Sequence, residues 1–152
     1  LFPTIAGIAG GKLPERKIDG MDVSPLLLGT KDAKNPHEAY FWYYNTNELQ
    51  AVTRGDGRWK LYLPHAYRTL AGKPGGKDGF PVNYQMRKLE KPELYDLVND
   101  ISETTDVAEK NPEIVQQLLK LAEKSREDLG DSFTKRKGSG NRPPGRLEKP
   151  AE

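Results

Sequence analysis

Residues 58–70 read RWKLYLPHAYRTL, and they gather the side chains best suited to chemistry in this chain. His65 stands behind a proline and ahead of Tyr67 and Arg68. Histidine changes charge near neutral pH, arginine grips an anion through two parallel hydrogen bonds, and an aromatic ring stacks on a sugar or a cation. The run AGKPGGKDGFPVN (71–83) follows at once and adds Lys73 and Lys77. It lacks the G-x-x-x-x-G-K-[ST] spacing of a phosphate-binding loop, and no helix follows it closely. Loops of this length in small domains are often lids or binding loops. The second histidine, His37, follows Asn35-Pro36 and reads as a surface loop residue. Two histidines without ligand spacing make no metal site. The chain has no cysteine, which excludes a thiol nucleophile, a disulfide framework and a thiolate zinc site. It also contains no G-x-S-x-G elbow and no zincin motif. The residues therefore offer contacts for an anionic ligand and no recognisable reactive group.

The elements that would position these side chains are legible as an antiparallel meander. AYFWYYN (39–45) has strand composition, and Asn45 to Asn47 supply a turn. ELQAVTRG follows as a second strand, and Asp56-Gly57 is a hairpin signal, which also accounts for the RGDG tetrapeptide. In RWKLYLP, Trp59, Leu61 and Leu63 alternate with Arg58, Lys60 and Tyr62, giving one apolar face. ELYDLVND reads as a fourth strand and turn. A helix then begins with Asn111 as cap and Pro112 in its first turn. It carries an apolar stripe of Ile114, Val115, Leu118, Leu121, Ala122 and Leu129, and stops at Gly130. At the other end of the chain, Leu1, Ile5 and Ile8 share a helical face that ends at Gly10-Gly11. A loop then closes on the apolar run Leu26 to Leu28. The expected architecture is α+β: a small four-stranded antiparallel sheet with a C-terminal helix packed on its apolar face.

The 152 residues suit one modest domain, and 15 glycines with 12 prolines disfavour a helical bundle. The net charge of +2 is unevenly spread, because residues 135–152 hold six Lys/Arg and two Asp/Glu. Such a sparse basic end, mixed with Gly, Pro and Ser, reads as a disordered tail over 131–152. No nucleic-acid module or stacking platform accompanies it, and no stretch is long and apolar enough to span a membrane. Neither a nucleic acid nor a membrane is an expected partner. The chain opens on Leu1, from which a longer polypeptide is expected upstream.

Three phrases, in order, resemble the sulfatase family. LFPTIAGIAG with KIDGMDVSPLLLG is similar to the end of that family's catalytic region. NELQAVTRGDGRWKLYL resembles its Ala-Val-Arg-x-Gly-x-Trp-Lys-Leu hairpin. ELYDLVNDISETTDVAEK resembles its LYDLxxDPxExxNLA segment through Leu94, Tyr95, Asp96, Leu97, Asp100, Glu103, Thr105, Asp106, Val107 and Ala108, with Ile101-Ser102 replacing Pro-Gly. The resemblance covers about residues 1–130. It implies the end of a catalytic domain over 1–30, the C-terminal subdomain of an alkaline-phosphatase-like sulfatase fold over 31–130, and the tail beyond.

It also implies hydrolysis of sulfate esters by a formylglycine, made from Cys or Ser in a Cys/Ser-x-Pro-x-Arg motif, with a bound calcium neutralising the sulfate. Neither that motif nor the family's calcium ligands can be placed on this chain, so no catalytic or metal residue is assigned and the chain alone is expected to be inactive. What remains is completion of the substrate cleft. The expected partners are an upstream catalytic domain of the same polypeptide and a sulfate-ester substrate, with sulfated glycans included. The substrate contacts would be His65, Tyr67, Arg68, Lys73 and Lys77, on a loop running from His65 to Val82. For His65, support of that loop by hydrogen bonding is the competing role. A stand-alone binding module for anionic glycans is the alternative function. The resemblance suggests a periplasmic or extracellular location.

Overall fold

The computed structural model describes residues 1–143. Four strands form the central sheet: β1 (Ala39–Tyr44), β2 (Glu48–Arg54), β3 (Trp59–Tyr62) and β6 (Glu93–Asp96), in the order β1-β2-β3-β6. Every pairing is antiparallel. Asn45 and Asn47 both take positive φ in the first turn, a conformation asparagine tolerates better than most residues. In the second turn Gly57 takes φ 75°, and the Asp56 carboxylate accepts the Arg58 backbone N–H at 3.0 Å. The turn chemistry read from Asp56-Gly57 is therefore the chemistry that forms.

One face of the sheet carries the core. Leu49, Val52, Trp59, Leu61, Leu63 and Leu94 are buried against Leu118 and Ala122 of helix α3 (Pro112–Leu129). Burying a leucine side chain such as Leu118 contributes about 2 kcal/mol by area. Leu61 lies opposite Leu94 across the β3–β6 pair, so the alternation in the sequence fixes which face of both strands turns inward. The turn after β6 is held by carboxylates. Asp106 accepts the Leu94 and Ala108 N–H groups, and Asp100 accepts those of Thr104 and Thr105. Helix α3 starts at Pro112, but Asn111 does not cap it with its side chain. Its amide donates instead to the carbonyl of Val107, the residue that precedes the short 3-10 turn Ala108–Lys110.

Two expectations require correction. The disordered tail was placed from residue 131, yet Gly130–Asp131 (β7) pairs with Arg136–Lys137 (β8). Asp131 is fully buried. Its carboxylate accepts Arg126 Nε at 2.8 Å, the Phe133 N–H at 3.0 Å and the Leu49 N–H at 3.4 Å. A single acid thus joins helix, sheet and tail, which composition cannot reveal. The remainder of that stretch, 144–152, lies outside the described residues. The second correction concerns the loop from His65 to Val82. Its first five residues are strand β4 (His65–Thr69), paired with β5 (Gln85–Leu89) in a separate two-stranded ribbon, and only 70–84 connect them without strand structure.

Ahead of the sheet lie helix α1 (Phe2–Ile8) and the single turn α2 (Ser24–Leu27). Thr4 is buried and its hydroxyl accepts the Val23 N–H at 3.0 Å, while Phe2, Ile5 and Ile8 stay exposed. Among the described residues no helix is long and apolar enough to cross a membrane.

Candidate functional site

Pro64 ends β3 and redirects the chain into the β4–β5 ribbon. The register pairs His65 with Leu89, Tyr67 with Arg87 and Thr69 with Gln85. Directly paired residues share a face, so His65, Tyr67 and Thr69 lie on one side with Leu89, Arg87 and Gln85. Ala66 and Arg68 occupy the other side with Lys88 and Met86.

His65 is buried, with 7% of its surface exposed. Its Nδ1 lies 2.6 Å from the Leu63 carbonyl oxygen, which can only accept, so Nδ1 carries the proton and donates it. The ring stacks on Tyr62 with centroids 6.0 Å apart and sits 5.6 Å from the Tyr67 ring. These rings line a recess of about 350 Å³ that Gln50, Leu89, Glu93, Tyr95 and Glu103 complete.

The electrostatics of the recess are largely settled internally. Tyr62 Oη donates to Glu103 Oε2 at 2.7 Å, and Lys60 Nζ to Glu103 Oε1 at 2.8 Å. Tyr95 Oη donates to Glu93 Oε2 at 2.7 Å. Burial pushes both phenols above their ordinary value; Glu93 adds to the rise at Tyr95, while at Tyr62 Lys60 works against burial and Glu103 without cancelling them, so both remain neutral donors at physiological pH. Burial works against the charge of Lys60, but its bonds to Glu103 and Tyr62 outweigh that and hold it protonated. Lys60 also lies 4.8 Å from the Trp42 ring centre and 4.6 Å from that of Tyr62.

Of the five residues proposed from sequence, the fold brings His65 and Tyr67 together. Arg68 lies on the opposite face of the ribbon and lines a second depression with Tyr44, Met86 and Phe133, which His65 and Tyr67 also border. Lys73 and Lys77 are exposed on the connection at the tip of the ribbon. Sequence reasoning missed Arg87, directly across from Tyr67, and the partners Tyr62, Tyr95, Glu93 and Glu103. The sequence QMRKLE has neither apolar alternation nor β-branched residues, and it pairs only because the chain returns beside HAYRT.

The described residues offer no precursor motif for formylglycine and no cluster of calcium ligands. The chain has no cysteine and no serine in a Ser-x-Pro-x-Arg setting. Among the described residues no three His, Cys, Asp or Glu side chains converge as metal ligands.

Comparison with known proteins bears on what the site completes. Residues 35–143 match the family described as the C-terminal region of aryl-sulfatase. The chain is 34% identical over 130 residues to human arylsulfatase A, a stretch covering 80% of this chain and 24% of that protein. It is 39% identical over 82 residues to mouse steryl-sulfatase, covering 52% of this chain and 12% of that one. A solved structure superposes with a TM-score of 0.55 at 27% identity, over 83% of this chain and 24% of its own. That structure was reported under the heading "Metabolism of multiple glycosaminoglycans by bacteroides thetaiotaomicron is orchestrated by a versatile core genetic locus". The chain spans about a quarter or less of the length of these relatives.

Proposed function

Because the chain belongs to the aryl-sulfatase family, whose C-terminal region it matches, we propose that it is the C-terminal lobe of a sulfuric-ester hydrolase and forms part of the rim of the substrate cleft. The nucleophile and the metal belong, on this reading, to a catalytic domain preceding the lobe in the same polypeptide. The observation that carries the proposal is the β4–β5 ribbon. It leaves the sheet beside the recess with His65 and Tyr67 on one face, and it exposes Lys73 and Lys77 at its tip. Exposed lysines beside a cleft attract an anionic ester and raise its local concentration. The Nδ1–H bond to Leu63 sets the orientation of His65 and turns its Nε2 away from that carbonyl. The exposed apolar side chains of Phe2, Ile5 and Ile8 support contact with the rest of the polypeptide. The glycosaminoglycan context of the solved relative makes sulfated glycans worth assaying beside aryl sulfates.

The test has two arms. The 152-residue chain is expected to show no turnover of 4-nitrophenyl sulfate, and turnover would refute the division of labour. In the polypeptide that includes the catalytic domain, replacing Lys73 and Lys77 together by alanine is expected to lower kcat/KM by about five-fold, chiefly through KM, with an unchanged melting temperature. Unaltered kinetics would remove the ribbon from the rim.

A further inference from the structure

Basic charge is concentrated on the ribbon. Residues 65–91 hold six Lys/Arg and two Asp/Glu, the same balance as residues 135–152, which leaves the rest of the chain with 12 basic and 18 acidic groups. The ribbon is thus a positive arm on an acidic body. Elsewhere arginines find carboxylates: Arg54 with Asp56, Arg58 with Asp96, Arg126 with Asp131, Arg136 with Glu123 and Arg142 with Asp19. On the arm Lys88 pairs with Glu90 at 3.0 Å, but Arg68, Lys73, Lys77 and Arg87 enter no ion pair among the described residues. Acidic groups are in excess over the body, so cations left without them are available for an external anion.

Arg87 has the most developed setting. It pairs across the ribbon with Tyr67, so the two side chains leave the same face with Cβ atoms roughly 5 Å apart. Tyr67 is half-buried and braced by His65, with ring centres 5.6 Å apart. Gln85 and Thr69 continue that face and add an amide and a hydroxyl. An aromatic plane, short polar groups and a guanidinium in one row suit a sugar ring bearing an anionic substituent. Glu93 and Glu103 lie in the adjoining recess, but each already accepts from a tyrosine hydroxyl, and Glu103 from Lys60 as well, which moderates their repulsion of an anion. Arg68 on the opposite face and the lysines at the tip spread the positive charge along a ribbon roughly 16 Å long, at about 3.3 Å per strand residue. A single aryl sulfate cannot use that length, whereas a polymer with repeated anionic groups can. Single-stranded nucleic acid would need several stacking rings in succession, and this face offers one.

We propose that the arm binds a sulfated glycan chain and that Arg87, beside Tyr67, holds a sulfate other than the one being cleaved. This rests on the hydrolase reading above and specifies its substrate. The experiment measures binding by the 152-residue chain to a heparin hexasaccharide, its desulfated counterpart and a single-stranded DNA of equal charge. The expected result is binding of the sulfated hexasaccharide that weakens about five-fold or more in Arg87→Ala and about two-fold or less in Lys120→Ala, a charge control on the exposed side of α3. Melting temperatures of both variants verify the fold. Equal losses in the two variants, no binding, or equal affinity for the desulfated sugar or the DNA would overturn the proposal. If the polypeptide including the catalytic domain hydrolyses an aryl sulfate while the chain ignores the hexasaccharide, the arm's role falls and the hydrolase reading stands. Arg87-dependent binding without hydrolysis of any sulfate ester removes the hydrolase reading alone.

Discussion

Asp131 is the residue on which most separate parts of the fold converge. Its two oxygens serve Arg126 on the helix, Leu49 on the sheet and Phe133 in the terminal hairpin, at zero exposure. Nearby, the Tyr43 hydroxyl donates to the Gly130 carbonyl at 2.9 Å and lies 3.0 Å from Ser125 Oγ. Removing one partner from a buried ion pair leaves the other charged and unanswered, which costs more than the pair contributes. Asp131→Asn is therefore expected to lower the free energy of unfolding by about 3 kcal/mol, measured by urea denaturation. A loss below about 1 kcal/mol would mean that Glu123, 2.5 Å from Arg126, takes over the pairing. None of this could be read in LGDSFTKRK, where Asp131 looks like any polar turn residue. His65 was legible as a residue of interest from its neighbours, but its role as a donor to Leu63 depends on the chain turning at Pro64.

At the level of elements, the sheet and helix α3 were legible because their apolar positions follow one clean period each. Trp59, Leu61 and Leu63 repeat every second residue, while Leu118 and Ala122 fall on one helical stripe. The helix end was equally clear. Gly130 takes φ 81°, and a Cβ there would meet the Gly138 nitrogen at 2.7 Å, so glycine is required both by conformation and by space. The ribbon was not legible, because Arg68, Met86, Arg87 and Lys88 are exposed and no core imposes alternation on them. That same detachment carries a prediction. Replacing residues 71–83 by a two-residue Asn-Gly turn is expected to change the unfolding free energy by less than about 1 kcal/mol, since loop length enters only logarithmically. A cooperative loss of the fold in circular dichroism would show that the tip packs on the body after all.

On the scale of the whole molecule, carboxylates held by hydrogen bonds at the turns and on helix α3 give the fold a common response to acid. Asp96 is held below the ordinary carboxylate range by Arg58, Asp100 by the Thr105 N–H, Asp56 by Arg54 and Glu123 by Arg126. A carboxylate whose folded pKa is depressed adds stability that is fully present above its unfolded value, near 4, and is lost as pH falls through the folded value. The melting temperature is expected to stay level from about pH 5 to 8 and to fall below about pH 4. The gap between the chain and its Asp100→Asn variant should close over that same fall, and a gap independent of pH would assign the effect to shape and not to charge. The domain also leaves apolar groups in water at both ends of its surface, with Phe2, Ile5 and Ile8 on α1 and Tyr40, Trp42 and Tyr44 along β1. Alternation made the buried side of β1 readable, yet nothing in AYFWYY says that its other side remains uncovered.

The strand order adds a consequence for how such a domain diversifies. β3 and β6 are hydrogen-bonded neighbours, so everything from Leu63 to Lys91 departs from and returns to the same place in the sheet. The Leu61–Leu94 pairing is formed by residues outside that excursion. Selection can therefore lengthen, shorten or recharge the part of the excursion beyond the buried Leu63, His65 and Leu89 without disturbing the scaffold. Exchanging it between relatives amounts to changing the head of a tool while keeping its handle.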